Sequence, residues 1–88
     1  MSIFSGEEST VKAGDRIVFK CQPGGSTLTY TRDGIPVYNS IGDDKTSADF
    51  LETKTDFLHF MISFSTMLGF GLEVIDDSQE NKMVVELK

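Results

Sequence analysis

The stretch from Phe57 to Leu68 limits how this chain can fold more than any other, because eight of its twelve residues are large and apolar. Successive residues of a helix turn by about 100°, so these eight side chains would cover an arc of about 220°. A helix that rests on one sheet needs an apolar stripe of only about 100°. The sequence therefore predicts a helix with more apolar surface than one sheet can cover, and we expect a second surface to cover the excess.

Alternating apolar residues predict strands before and after this helix. In the first strand Ile17, Phe19 and Cys21 share one face, and we interpret Cys21 as a small buried hydrophobic residue. After the helix, apolar residues alternate in the same way from residue 83 to residue 87. The predicted strands are 16–21, 27–31, 35–39, 72–76 and 82–87.

The dipeptide Asp33-Gly34 lies between two of these strands and tolerates the positive φ angles of a two-residue hairpin. A hairpin with this turn places Arg32 opposite Ile35 and Tyr30 opposite Val37. Pro36, which has no backbone N–H, then lies at a position that does not need one, so the second strand of the hairpin is predicted to form a sheet edge.

Two starting points are available for the helix. Thr46 or Ser47 can serve as N-cap, which predicts one helix from about residue 48 to residue 68. Thr53, followed three residues later by Asp56, offers a second cap. That cap would divide the segment into a short turn and a main helix from about residue 55, and the sequence leaves both arrangements open.

Gly69 and Gly71 follow the apolar stretch and predict the end of the helix, because glycine readily adopts left-handed backbone. The resulting order of elements is β-β-β-α-β-β. We therefore predict a single α+β domain over residues 1–88, with an antiparallel sheet of about five strands and one long helix packed across one face.

The charge of the chain excludes some partners. Its 14 acidic and 8 basic residues give a net charge of −6, which repels phosphate backbones and anionic membranes, so we expect no direct binding to nucleic acid or membrane. Cys21 is the single cysteine, so no disulfide forms within the chain and a reducing compartment fits best. The first residues carry neither the basic nor the apolar region of a signal peptide, and we expect a cytoplasmic protein.

The sequence contains no recognisable catalytic, cofactor or metal motif. His59 is the only histidine, and no third group that would orient it as a base is evident. Asp76, Asp77 and Glu80 have the spacing of half a calcium loop, but the twelfth position from Asp76 is Leu87 instead of glutamate. We therefore expect a protein without enzymatic activity, cofactor or metal ion.

The leading hypothesis is a small interaction protein that acts by occupying a partner's surface. Inhibitors, immunity proteins and phage-encoded antagonists of bacterial systems are often short, acidic chains of this kind. Part of the apolar arc would form the interface with another protein or with a second copy in a homodimer: Leu58, Phe60, Ile62, Phe64 and Met67. Carboxylates outside the helix would steer the chain toward a basic partner: Asp43, Asp44, Asp76, Asp77 and Glu80.

Two other interpretations stay open. In the first, the whole apolar arc of the helix belongs to the hydrophobic core. In the second, the chain is a homodimer that binds a metabolite or nucleotide between helix and sheet, with four polar side chains as contacts: Arg16, Tyr30, Arg32 and Tyr38.

Overall fold

The computed structural model describes residues 11–37, 46–47 and 50–88, which form one antiparallel sheet with a helix across one face. The elements in chain order are β1 (Arg16–Gln22), β2 (Gly25–Arg32), β3 (Ile35–Pro36), β4 (Thr46–Ser47), α1 (Lys54–Leu68), β5 (Leu72–Asp76) and β6 (Lys82–Leu87). The strand order across the sheet is β3-β2-β1-β6-β5, and the two-residue β4 also pairs with β2. The predicted α+β fold, with its antiparallel sheet and helix on one face, is confirmed.

The core lies between the helix and the sheet face that carries the alternating apolar residues. Ile17 in β1 is opposite Tyr30 on one side and Val85 on the other, and all three are fully buried. This row shows how the period of two in the sequence becomes one continuous apolar surface across three strands. The buried hydrophobic residues are Ile17, Phe19, Leu28, Tyr30, Leu51, Phe57, Met61, Met83, Val85 and Leu87.

The Asp33-Gly34 hairpin forms in the predicted register. Arg32 pairs with Ile35, and the Val37 N–H donates to the Tyr30 carbonyl at 2.9 Å. Asp33 and Gly34 have φ angles of 55° and 80°, as this tight turn requires. Ile35 is nevertheless 65% exposed, because the helix packs on β1, β5 and β6 and not on β3.

The helix begins at the second of the two predicted starting points. Thr53 is its N-cap, and its hydroxyl accepts a hydrogen bond from the Asp56 N–H at 3.1 Å. The Asp56 carboxylate in turn accepts from the Thr53 N–H at 3.3 Å, which completes a capping box. These reciprocal bonds satisfy two of the N–H groups that have no partner within the helix at its start.

The prediction that Thr46 or Ser47 caps a helix starting near residue 48 is wrong. Both residues lie in β4, opposite Leu28 and Thr27 of β2. Pairing with β2 gives their backbone groups partners along a strand edge that β3 leaves uncovered, because β3 pairs only with the far end of β2.

One side of α1 faces the sheet through Phe57, Met61 and Ser65, which are spaced by four residues and buried. The Phe57 ring stacks on Phe19 of β1, with ring centroids 4.9 Å apart. The Ser65 hydroxyl donates to the Ile62 carbonyl within the helix at 3.1 Å, so its burial leaves no donor without a partner.

Gly69 ends the helix, as predicted. It has a φ of 84°, and the next residue, Phe70, donates its N–H to the Ser65 carbonyl at 2.8 Å. Together with the bond from the Gly69 N–H to the Thr66 carbonyl, this forms a Schellman motif.

Replacing Gly69 with alanine is expected to lower the free energy of unfolding by about 1 kcal/mol, because an L-residue is disfavoured in left-handed backbone. A Cβ at Gly69 would meet no atom within 4 Å, so the cost is conformational and not steric. Gly24 has equally open space and no positive φ, which makes Gly24→Ala the matched control. Urea unfolding of both variants checks this, and equal stabilities would contradict it.

Candidate functional site

Four apolar side chains form a row along one side of the helix, which we call the phenylalanine row: Phe50, Phe60, Phe64 and Met67. The ring centroids of Phe50 and Phe60 are 5.6 Å apart in an edge-on contact, and those of Phe60 and Phe64 are 6.0 Å apart. Phe50 and Met67, at the two ends, are 64% and 79% exposed. The row is therefore an apolar surface that runs along the second half of the helix and includes Phe50 from the segment before it.

The spacing of the residues explains the row. Phe60, Phe64 and Met67 are four and three residues apart, so they follow one another along the helix surface. Phe50 precedes the helix, and the buried Leu51 next to it fixes the segment against the core. The row thus combines a helical face with an aromatic residue from a different part of the chain.

The other two residues of the predicted interface lie on the opposite flank of the helix. Leu58, like Phe60 and Phe64, is half-buried and packs against the core, while Ile62 is 47% exposed. His59 is exposed on the polar arc between the two flanks. The structure therefore brings Phe60, Phe64 and Met67 together and separates them from Leu58 and Ile62.

A buried carboxylate lies at the start of β1. Asp15 is 1% exposed and receives hydrogen bonds from Arg32 Nε at 2.8 Å, from Arg32 Nη2 at 2.9 Å and from the Lys12 N–H at 2.9 Å. The hydroxyl of the fully buried Tyr30 also donates to it. We call Asp15, Tyr30 and Arg32 the Asp15 cluster.

The Asp15 cluster holds its carboxylate in the charged form. Burial of Asp15 raises its pKa, but the hydrogen bonds from Arg32, Tyr30 and Lys12 outweigh burial, and the net pKa is lowered. The pKa of Tyr30 is raised, first by burial and then by its hydrogen bond to Asp15. The tyrosine therefore stays protonated as a donor, and the cluster is a satisfied structural network.

The three predicted ligand contacts that lie within the described residues do not converge. Tyr30 and Arg32 meet at Asp15 on the core side of the sheet, whereas Arg16 lies on the outer face, the sheet face opposite the helix. There Arg16 Nε forms an ion pair with Glu86 at 2.9 Å. Both line an open cleft of about 610 Å³ on the outer face. Tyr38 lies outside the described residues.

The acidic residues of the β5–β6 loop are partly engaged within the chain. Asp77 forms an ion pair with Lys54 at 2.5 Å. Asp76 accepts from the Ser78 N–H at 3.0 Å and hydroxyl at 2.7 Å, and these bonds lower its pKa. Glu80 is exposed, whereas Asp43 and Asp44 lie outside the described residues.

The sequence interpretation missed the contribution of Phe50 to the row and of Asp15 to the core. Asp15 precedes Ile17 by two residues, so the same alternation that buries Ile17 also points Asp15 inward. An inward carboxylate requires partners, and Arg32 and Tyr30 share the corresponding face of β2. The alternation of residues therefore contained enough information to predict the burial of Asp15. Nothing in the local sequence connects Phe50 with Phe60.

Within residues 11–37, 46–47 and 50–88, no group of three or more His, Cys, Asp or Glu side chains is placed to hold a metal ion. In the same part of the chain, no helix has the length and apolar character needed to cross a membrane. No protein-family model, curated protein or solved structure matches this chain.

Proposed function

We propose that this protein is a small interaction module that binds through the phenylalanine row, and that a second copy of the chain is the first occupant of that surface. The observation that carries the proposal is the row itself. Its aromatic rings are in mutual contact, and its two end residues, Phe50 and Met67, are 64% and 79% exposed.

Burial of this surface supplies a driving force for association. Fully burying a large apolar side chain such as Phe50 or Met67 contributes about 1.5–3 kcal/mol before the entropic cost of association is subtracted. Phenylalanine and methionine are enriched in interface cores, and methionine adapts readily to an irregular partner surface.

The charges of the helix favour a second copy. From Phe57 to Leu68 the helix contains no Asp, Glu, Lys or Arg, so two helices avoid contacts between these like charges at close range. A two-fold axis across the helix would pair the row with itself in the opposite direction, as an isologous interface requires. The net charge of −6 opposes association only from a distance and is screened over about 10 Å at 0.1 M salt.

An inhibitor or immunity-type role would use the same row against a different, basic protein. In that arrangement the exposed Glu80 and the carboxylates of Asp76 and Asp77 would steer the encounter. The direction in which salt changes the affinity distinguishes the two partners. Added salt strengthens self-association of an acidic chain and weakens its complex with a basic protein.

Replacing both Phe50 and Met67 with serine is expected to weaken self-association at least tenfold, because about 1.4 kcal/mol of lost burial corresponds to a factor of ten. Both side chains are largely exposed, so the folded monomer should keep its stability. Sedimentation equilibrium at low and high sodium chloride measures both the dissociation constant and the sign of its salt dependence.

Ile62→Ser is the matched control, because Ile62 is an exposed apolar residue on the opposite flank of the same helix. It should leave the dissociation constant within about twofold of the parent value. If Ile62→Ser dissociates the dimer while the Phe50/Met67 double variant does not, the phenylalanine row is not the interface.

A further inference from the structure

We propose that the chain also binds a phosphate group, as inorganic phosphate or as a phosphate monoester, at Lys20 and Lys82 on the outer face of the sheet. The two lysines belong to a cleft of about 200 Å³ at the end of β1 and the start of β6. Its lining residues are Lys20, Gln22, Gln79, Asn81 and Lys82. The cleft lies on the sheet face opposite the helix, so this site is separate from the phenylalanine row.

The register forces the two lysines together. Lys20 lies directly opposite Lys82, and the Cys21 N–H donates to the Asn81 carbonyl at 2.9 Å in the next pair. Hydrogen-bonded and non-hydrogen-bonded pairs alternate along an antiparallel ladder, so Lys20 and Lys82 form a non-hydrogen-bonded pair. Side chains approach most closely at such pairs, and like charges there repel each other.

Elsewhere on the same face, opposite charges balance each other. Arg16 and Glu86 occupy an equivalent non-hydrogen-bonded pair of the same two strands and form an ion pair at 2.9 Å. Glu73 and Glu86 are also directly opposite, and Lys88 bridges these two like charges at 2.8 and 2.6 Å. On this face, a side chain of opposite charge thus neutralises a pair of like charges.

The lysine pair has no such counter-charge in the described part of the chain. Across residues 11–37, 46–47 and 50–88, the ion pairs involve neither Lys20 nor Lys82. The charge of Lys82 lowers the pKa of Asp76, but the hydrogen bonds to that carboxylate come from Ser78. A bound dianion would balance the two ammonium groups, as Lys88 does for the two glutamates.

The loop that closes the cleft is held in place. Lys54 Nζ bonds both the Asp77 carboxylate at 2.5 Å and the Gln79 carbonyl at 2.6 Å, and the Asn81 carbonyl accepts from Cys21. Three residues with amide side chains, Gln22, Gln79 and Asn81, line the cleft together with the two lysines. Ammonium and amide N–H groups within one cleft are the donors that suit the several acceptor oxygens of a phosphate group.

The test is a titration of the ¹⁵N-labelled protein with sodium phosphate, followed by amide chemical shifts, at constant ionic strength set with sodium chloride. Phosphate should shift resonances of residues 20–22 and 79–82, and chloride alone should not. Lys20→Gln and Lys82→Gln should each weaken the binding at least tenfold. Lys88→Gln, which removes a lysine that already has two carboxylate partners, should leave it unchanged.

Glycerol 3-phosphate in place of phosphate distinguishes the two sources of the group: tighter binding at the same residues identifies an organic monoester, and weaker binding identifies inorganic phosphate. Lys82→Glu places an opposite charge facing Lys20, so it should abolish binding while raising the melting temperature at low salt. The proposal is overturned if the shifts spread over the whole sheet, if chloride reproduces them, or if Lys20→Gln and Lys82→Gln bind phosphate as the parent does.

Discussion

Asp15→Asn is expected to lower the free energy of unfolding by about 3 kcal/mol, because it removes the charge from a buried carboxylate on which donors from three residues converge. Arg32 would lose its ion pair, with N–O distances of 2.8 and 2.9 Å, while its side chain is only 28% exposed. An asparagine amide can accept only part of these hydrogen bonds. Urea unfolding at neutral pH measures the effect, and Asp33→Asn, at an exposed carboxylate, is the control.

The stability lost in Asp15→Asn should depend on pH, and the pKa of Asp15 determines the direction of that dependence. The pKa of Asp15 is lowered in the folded state below its ordinary value of 3.8. Its contribution is therefore complete above the unfolded pKa and declines as the pH falls through 3.8 toward the folded pKa. The difference between the parent and Asp15→Asn should shrink over that window. A difference that is small at neutral pH, or that grows in acid, would contradict the role of the Asp15 cluster.

Phe57→Ala is expected to cost about 3–5 kcal/mol, because it leaves a cavity where the helix meets the sheet. The Phe57 ring is fully buried and lies parallel to Phe19, with centroids 4.9 Å apart and an interplanar angle of 10°. A loss of this size is a large part of the total stability of about 5–15 kcal/mol that a native domain possesses.

Phe57→Leu provides the graded control for this cavity, since it keeps most of the volume and should cost about 1.5 kcal/mol or less. Thermal unfolding of the three proteins, followed by circular dichroism, checks the order. Equal melting temperatures for Phe57→Ala and the parent would mean that the helix does not depend on this contact.

Local patterns were sufficient for most of the sheet. The alternation around Ile17 and Val85 predicted the strand faces, and Asp33-Gly34 predicted the pairing of Arg32 with Ile35. These features depend on neighbouring residues and on a turn with few allowed geometries, so the sequence contains what determines them. The capping box of Thr53 is local in the same sense.

The features that were wrong or missed depend on distant parts of the chain. Thr46 and Ser47 form β4 because β2 offers an edge, and no local pattern contains that edge. Ser65 is buried although it is polar, because it lies on the face of the helix that also carries the buried Phe57 and Met61. The apolar side chains of this helix cover a wide arc, so their pattern alone does not show which part of the arc the sheet covers.

The sequence predicted only part of the phenylalanine row, because the row also depends on contacts between distant parts of the chain. The excess of apolar area on the helix was evident from its sequence, as were Phe60, Phe64 and Met67. Their separation from Ile62, and the addition of Phe50, follow only from the packed structure.

Light scattering of the parent chain over a roughly hundredfold dilution tests the central claim, because a dimer held by the phenylalanine row must dissociate by mass action. We predict a mass near two chains at high concentration that falls toward one chain on dilution, with added salt shifting the transition to lower concentration. A mass of one chain throughout, including the highest concentration and high salt, would contradict self-association through this surface.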